Sequence, residues 1–222
     1  MKNKIMLLVL LLAALLPAGG CSIASILLSG NEPARIDREY DIAADMQNGE
    51  KIFVYVAQPS YIDTPVSIRK QMADNVEAYL KTYFEDSYIE GNILTYRDYN
   101  ELESLAAGFD PAAKAKELGA SKLLYIELMK LDMLKLSQLG YYSASMKVAA
   151  LYYDVSTGEK LWPEKEKYNI TSYDIECEKD VEKTCSRLAT ANAHCILRHF
   201  YDCERNKYRI ADELADTSFG EW

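Results

Sequence analysis

Residues 51–57, KIFVYVA, constrain the fold of this chain more than any other stretch. Ile52, Val54 and Val56 alternate with Phe53 and Tyr55, so a strand here is apolar on both faces. A strand with one wet face alternates apolar with polar. A strand that is apolar on both sides has to be covered on both. The segment predicts an inner strand with packed layers above and below it, and 222 residues are enough to supply them within one domain.

The rest of the pattern fits that requirement. After the loop QPSYIDTP, Thr64 is placed to cap and Pro65 to open a helix whose Ile68, Met72, Val76, Tyr79, Leu80 and Tyr83 recur at helical spacing to about residue 85. Residues 91–96 read as a short strand and 99–106 as a short helix. In FDPAAKAKELGASKLLYIEL, Asp110 caps a helix, Pro111 takes its first position and Gly119 ends it. Residues 121–131 then form a strand with Leu124, Ile126 and Leu128 on one face. Residues 140–154 form a longer strand, turned at Ser156-Thr157-Gly158. Residues 160–162 and 167–176 return as further strand, and 180 to about 200 close the domain as a helix. The order β-α-β-α-β-β-β-α predicts a single-domain α/β sandwich with a mixed sheet over residues 36–204, followed by a loose or weakly helical tail, 205–222.

The N-terminus supplies an address. Lys2 and Lys4 precede an unbroken apolar run over residues 5–16, and LPAGGC follows. A charged start, an apolar core and small residues before a cut are the secretory pattern. Residues 5–28 are also long enough to span a bilayer uncut. Pro17, Gly19 and Gly20 in the middle of that run weaken a helix and favour cleavage. The division expected is a signal peptide, 1–20, and a tether, 21–35, ahead of the domain. Cleavage removes two lysines and no acid, leaving the exported part more negative than the chain's −9. Nucleic acid is therefore not an expected partner, and membrane attachment has to come from the N-terminus, not from the acidic surface.

Catalytic signatures are thin. There is no phosphate-binding glycine loop, no G-x-S-x-G and no H-E-x-x-H, and His194 and His199 are five apart on a helix, diverging in direction. No catalytic residue, cofactor or metal is expected. Cys177, Cys185, Cys195 and Cys203 leave three readings open. An even count in an exported domain suggests disulfides. Cys185 and Cys195 lie roughly 15 Å apart along a helix, beyond bridging reach, and Cys177 meets Cys185 only if the chain folds back. Cys195, His199 and Cys203 share a helical spacing that suits a metal if the helix runs on. Buried thiols packing as small hydrophobes are the third reading. The loop 58–64 follows the inner strand, where α/β folds place ligands, which makes Tyr61 and Asp63 the candidate ligand-loop residues.

AKELGASKLLYIEL, then YYSASMKVAALYYDVSTGEKLWPE, then a helix ending RHFYDCE resemble a group of uncharacterised bacterial envelope lipoproteins. More distantly, residues 51–204 resemble the amino-terminal domain of TolB, the curli secretion lipoprotein and the lipoprotein activators of penicillin-binding proteins. LPAGGC resembles the bacterial lipoprotein box, with Ala18 where that family has a larger aliphatic residue. That resemblance implies cleavage before Cys21 and acylation of its thiol. Ser22 in place of Asp implies the outer rather than the inner membrane, on the periplasmic side. What the resemblances imply together is a non-catalytic accessory or assembly factor, membrane-anchored through Cys21 and binding other envelope proteins. A small-ligand-binding envelope domain is the alternative.

Overall fold

The computed structural model describes residues 35–64, 67–106, 108–135, 141–178 and 180–204, without the side chains of 135, 142 and 176–178. Cys21, the signal and most of the tether, the tail from 205 and the side chain of Cys177 lie outside it. In chain order the elements are β1 (Arg35–Ile36), α1 (Ile42–Gln47), β2 (Ile52–Ala57), α2 (Ile68–Tyr83), β3 (Ile93–Leu94), a 3-10 turn (Tyr96–Asp98) and α3 (Glu101–Ser104). There follow α4 (Pro111–Glu117), β4 (Lys122–Lys135), β5 (Tyr142–Asp154), β6 (Lys160–Trp162), β7 (Asn169–Glu178), α5 (Val181–Leu197) and β8 (Cys203–Glu204).

The central sheet is mixed and six-stranded, in the order β3-β2-β4-β5, with β6 and then β7 both pairing on the outer side of β5. β2 runs parallel to both β3 and β4, and the later strands are antiparallel. The two-sided apolar pattern of β2 has its predicted cause. Ile52, Val54 and Val56 join Leu124, Ile126, Met146 and Val148 under α2 and α5 in the main core. Phe53 and Tyr55 point the other way, into a smaller aromatic cluster with Tyr99, Ala115, Leu123 and Val155 beside α4. The chain is thus an α/β sandwich with a mixed sheet. Among the described residues no helix is long and apolar enough to cross a membrane.

Local chemistry sets most boundaries. Asp110 accepts from Ala112 N at 2.9 Å and Pro111 opens α4. Gly119, at φ +73°, takes the left-handed conformation that ends it. Asp154 builds the turn after β5, its carboxylate accepting from Ser156 N and Thr157 N at 2.8 and 3.0 Å and pairing with Lys122 at 2.7 Å. Several boundaries differ from expectation, the strand expected over 91–96 narrowing to β3 and the helix expected over 99–106 to α3 among them. α2 begins at Ile68 with Ser67, not Thr64, as its N-cap residue. β4 runs to Lys135 because a bulge between Leu128 and Lys130 resets the alternation, so that Leu131 and Met133 pack on the main core. α5 stops at Leu197, which leaves Cys203 in β8 and off the face carrying Cys195.

The first and last described segments close on each other. β1 pairs antiparallel with β8, and Glu39 N and Tyr40 N both donate to the His199 carbonyl, at 2.7 and 3.3 Å. The start of the described chain therefore lies beside the exit of α5.

Candidate functional site

The topology marks one crevice. β2 and β3 are parallel neighbours, yet the chain leaves them on opposite faces of the sheet. After β2 it enters α2 over the main core, and after β3 it enters α3 and α4 beside the aromatic cluster. In open α/β sheets the carboxyl ends of two such strands frame the usual ligand position.

The loop after β2 is built on Ile62, which is buried. Its N–H donates to Pro59 O at 3.0 Å, and its carbonyl accepts from Gln58 Nε2 at 2.7 Å. This pins the loop and turns its neighbours outward. Tyr61 is 78% exposed and Asp63 is also exposed. The structure therefore places both predicted residues at the carboxyl end of β2, facing solvent. Neither lines any of the three clefts described on the molecule.

Beneath the loop lies Arg69, a residue that sequence reasoning missed. It occupies the first turn of α2 and is 6% exposed. Its Nε donates to Val56 O at 2.9 Å, and its Nη2 contacts Ser104 Oγ. Its guanidinium carbon sits 5.8 Å from the Tyr55 ring centroid. The one side chain thus joins the end of β2, the start of α2 and the end of α3. Tyr55 Oη donates to Ser104 O at 3.4 Å, and Ser67 Oγ donates to Glu101 Oε1 at 3.2 Å, which holds α3 in place. The helix presents Leu102 and Leu105 outward, 76% and 60% exposed. The signal for Arg69 was available in the pattern: positions 69, 72, 73, 76 and 80 form one helical stripe, and Arg69 is its only charge.

Tyr99 completes the cluster. It is 6% exposed and packs at 5.4–5.6 Å on Phe53 and Tyr55. Burial pushes its hydroxyl up to about 12, against the pull of the neighbouring Arg69 guanidinium.

A second polar cluster sits where Glu39 meets the end of α5. The Glu39 carboxylate accepts from Trp162 Nε1 at 2.8 Å and pairs with His199 Nδ1 at 2.9 Å, while Asn169 Nδ2 meets His199 Nε2 at 3.4 Å. With Glu166 and Pro163 these groups border a cleft of about 450 Å³. Burial lowers the His199 pKa, and Glu39 opposes that shift. His199 lies beyond the end of α5 and is not an ordinary helix histidine. Another cleft, of about 1000 Å³, separates α2 from β3. Arg97 and Glu77 pair within it.

The cysteines pack inside. Cys185 and Cys195 are buried, and burial raises both thiols to about 11. Cys203 is buried with its thiol 3.8 Å from Tyr201 Oη. Cys185, Cys195 and Cys203 form no disulfide with one another, whereas bridging to Cys177 falls outside the described side chains. Among the described residues no three His, Cys, Asp or Glu side chains gather to hold a metal.

No family model matches the chain, and no curated protein matches it. Solved structures with some likeness include lipoprotein GNA1162 from Neisseria meningitidis, 14% identical, covering 66% of this chain and 97% of that one at a TM-score of 0.41. A PelC dodecamer from Paraburkholderia phytofirmans is 13% identical, covering 75% and 96% at 0.41. A minor lipoprotein from Acinetobacter baumannii is 8% identical, covering 68% and 91% at 0.32. Bacterial lipoproteins thus figure among these structures. At such identities and scores the likeness carries no argument about activity.

Proposed function

We propose that this chain is a non-catalytic lipoprotein of the bacterial envelope. It is cut before Cys21, anchored by acylation there on the periplasmic side, and holds its α/β domain close to the membrane to bind other envelope proteins as an accessory or assembly factor. One observation carries the binding surface. Tyr61, Leu102 and Leu105 are large, apolar and more than half exposed, and they sit on the loop and the helix that flank Arg69 at the carboxyl end of β2. Exposed apolar side chains gathered on adjoining segments mark interaction surfaces, whereas scattered ones do not. The Cys21 signal supports the anchor, and the Ser22 resemblance favours the outer membrane. The distant likeness to TolB-type and activator lipoproteins supports a role exercised through protein contacts.

Two measurements test this. Intact mass spectrometry of the membrane-extracted protein is expected to show residues 1–20 gone and Cys21 acylated. A Cys21→Ser variant that is processed and retained on the membrane like the wild type contradicts the anchor. Capture from cross-linked envelopes is expected to recover a protein partner that a Tyr61→Ser, Leu102→Ser, Leu105→Ser triple variant loses. Recovery of the same proteins by the triple variant rejects the surface.

A further inference from the structure

We propose that the outer edge of β4 pairs with the same edge of a second copy of this chain, over residues 128–134, in a two-fold antiparallel register centred on Leu131. This edge contains none of Tyr61, Leu102 and Leu105, and the pairing does not depend on the partner-binding surface.

β4 outruns its neighbour. β2 pairs with it only from Lys122 to Glu127 and ends at Ala57, while β4 runs on to Lys135 with β5 beside it throughout. Beyond Glu127, one side of β4 therefore meets no strand among the described residues. The register fixes which groups face that side. Lys122 N donates to Lys51 O at 3.1 Å, so Lys122 turns its backbone groups to the β2 side and Leu123, Tyr125 and Glu127 turn theirs to β5. Their partners in β5 are odd-numbered, and alternation along β5 turns Lys147 and Ser145 to β4 as well, opposite Lys130 and Asp132. Leu131 and Met133, next to these, direct N–H and C=O outward. No hydrogen bond from another described residue reaches either backbone on that side. Such an edge is a template for another strand, and natural proteins ordinarily keep edges short or covered. Met129 and Leu134 stand on it 40% and 64% exposed.

The order of residues along the edge selects the occupant. Residues 128–134 read LMKLDML. Reversed, the segment is the same except that Lys130 and Asp132 exchange places. A strand of this kind is its own complement when it runs antiparallel to a copy of itself. With Leu131 opposite Leu131 of the second copy, leucine meets leucine and methionine meets methionine at the flanks, and each Lys130 faces the other copy's Asp132. The two Leu131 residues exchange both N–H···O bonds, because both direct these groups outward. Neighbouring registers fail: centring on Lys130 or on Asp132 sets like charges opposite each other, which destabilises a pair of strands. Lys130 also sits opposite Lys147 in β5 and pairs with Asp132 along its own strand, so a carboxylate from the second copy answers an excess of positive charge. Both copies use the same edge, so the pairing closes at two.

The test is the mass of the full-length protein in density-matched detergent, read by sedimentation equilibrium over a dilution series, with hydrogen exchange of residues 128–134 followed in the same series. We expect a reversible monomer–dimer equilibrium, and slower exchange at the Leu131 and Met133 amides as the dimer forms. The Lys130 and Asp132 side chains are 63% and 54% exposed, so reversing either charge leaves the domain folded. Lys130→Asp and Asp132→Lys are each expected to weaken the dimer by about tenfold or more, because two symmetry-related pairs turn from attraction to repulsion. The double variant Lys130→Asp, Asp132→Lys restores the complement and is expected to dimerise like the wild type. The two single variants, mixed, are expected to pair with each other. A wild-type protein that stays monomeric throughout the series overturns the proposal. So does a dimer that both single reversals leave intact, one that the double variant fails to restore, or one that leaves exchange over 128–134 unchanged. None of these results bears on capture of a partner through Tyr61, Leu102 and Leu105, so the two readings fail separately.

Discussion

The cluster around Glu39 and His199 and the cluster around Arg69 and Tyr99 are both polar groups set into an apolar fold, but they are finished differently. Around Glu39, one carboxylate answers both Trp162 and His199, and the His199 backbone receives two further N–H groups. Asn169 Oδ1 there is buried with no hydrogen bond among the described residues. The residues come from opposite ends of the chain, and their bonds fasten its start to its finish. At the end of β2, Arg69 bonds a carbonyl and a hydroxyl and meets no carboxylate among the described residues, and the Tyr99 hydroxyl has the Arg69 guanidinium for its polar neighbour. The contrast teaches where to look for work. Bonds that join opposite ends of the chain hold the fold, and bonds kept to one strand end leave the surface beside them available to something else.

Four experiments press on that contrast. The largest effect belongs to the fastened end. Trp162 is 1% exposed and packs on Phe200 with ring centroids 4.8 Å apart. Trp162→Ala is expected to cost about 3–5 kcal/mol in urea unfolding. A loss below about 1 kcal/mol denies this cluster its fastening role. Glu39→Ala comes next. It strands the Trp162 N–H and the His199 ring, at about 1–3 kcal/mol in the same assay. If it costs nothing, the two hydrogen bonds are incidental.

The third experiment varies pH and breaks no contact, so its effect is smaller. Burial lowers the His199 pKa in the folded state, so the unfolded chain takes up the proton more readily. The stability this contributes is fully present above the unfolded value of about 6.5 and declines as pH falls below it. The urea midpoint is expected to drop between pH 7.5 and 5.5, and His199→Gln to flatten that part of the profile. An unchanged slope in the variant assigns the pH dependence elsewhere. The smallest effect is at the end of β2, where Tyr99→Phe is expected to change stability by no more than about 1 kcal/mol, since the buried hydroxyl it removes meets only Arg69. A loss greater than that places Tyr99 among the fastened groups.

The parts of the fold that local chemistry dictates were legible in the sequence. KIFVYVA announced a strand covered on both sides, Asp110-Pro111 and Gly119 bracketed α4, and Ser156-Thr157-Gly158 turned β5. What escaped depends on contacts distant in sequence. The alternation in β4 breaks at Met129, so the strand seemed to end near Leu131. Only pairing with β5 shows that a bulge carries it on to Lys135. α1 is six residues long, and its Asp41 cap is one acid among several, so nothing local distinguished it. Tyr61 and Asp63 lie in the loop after β2, a position that needs only a strand and a loop to be read. Arg69 is the one charge in the apolar stripe of α2, which the sequence shows, but its bonds to Val56 and Ser104 are properties of the folded state alone. Glu39 and His199 are 160 residues apart, and no spacing rule joins them.

The most direct test of the difference between the two ends is position-specific photo-crosslinking in living cells. A photoreactive residue is placed at Tyr61, at Leu102 or at Glu164, the last being an exposed position on the cleft beside His199. Crosslinks to a partner protein from Tyr61 and Leu102, and none from Glu164, are the predicted result. Crosslinks from Glu164 with none from Tyr61 or Leu102 would contradict it.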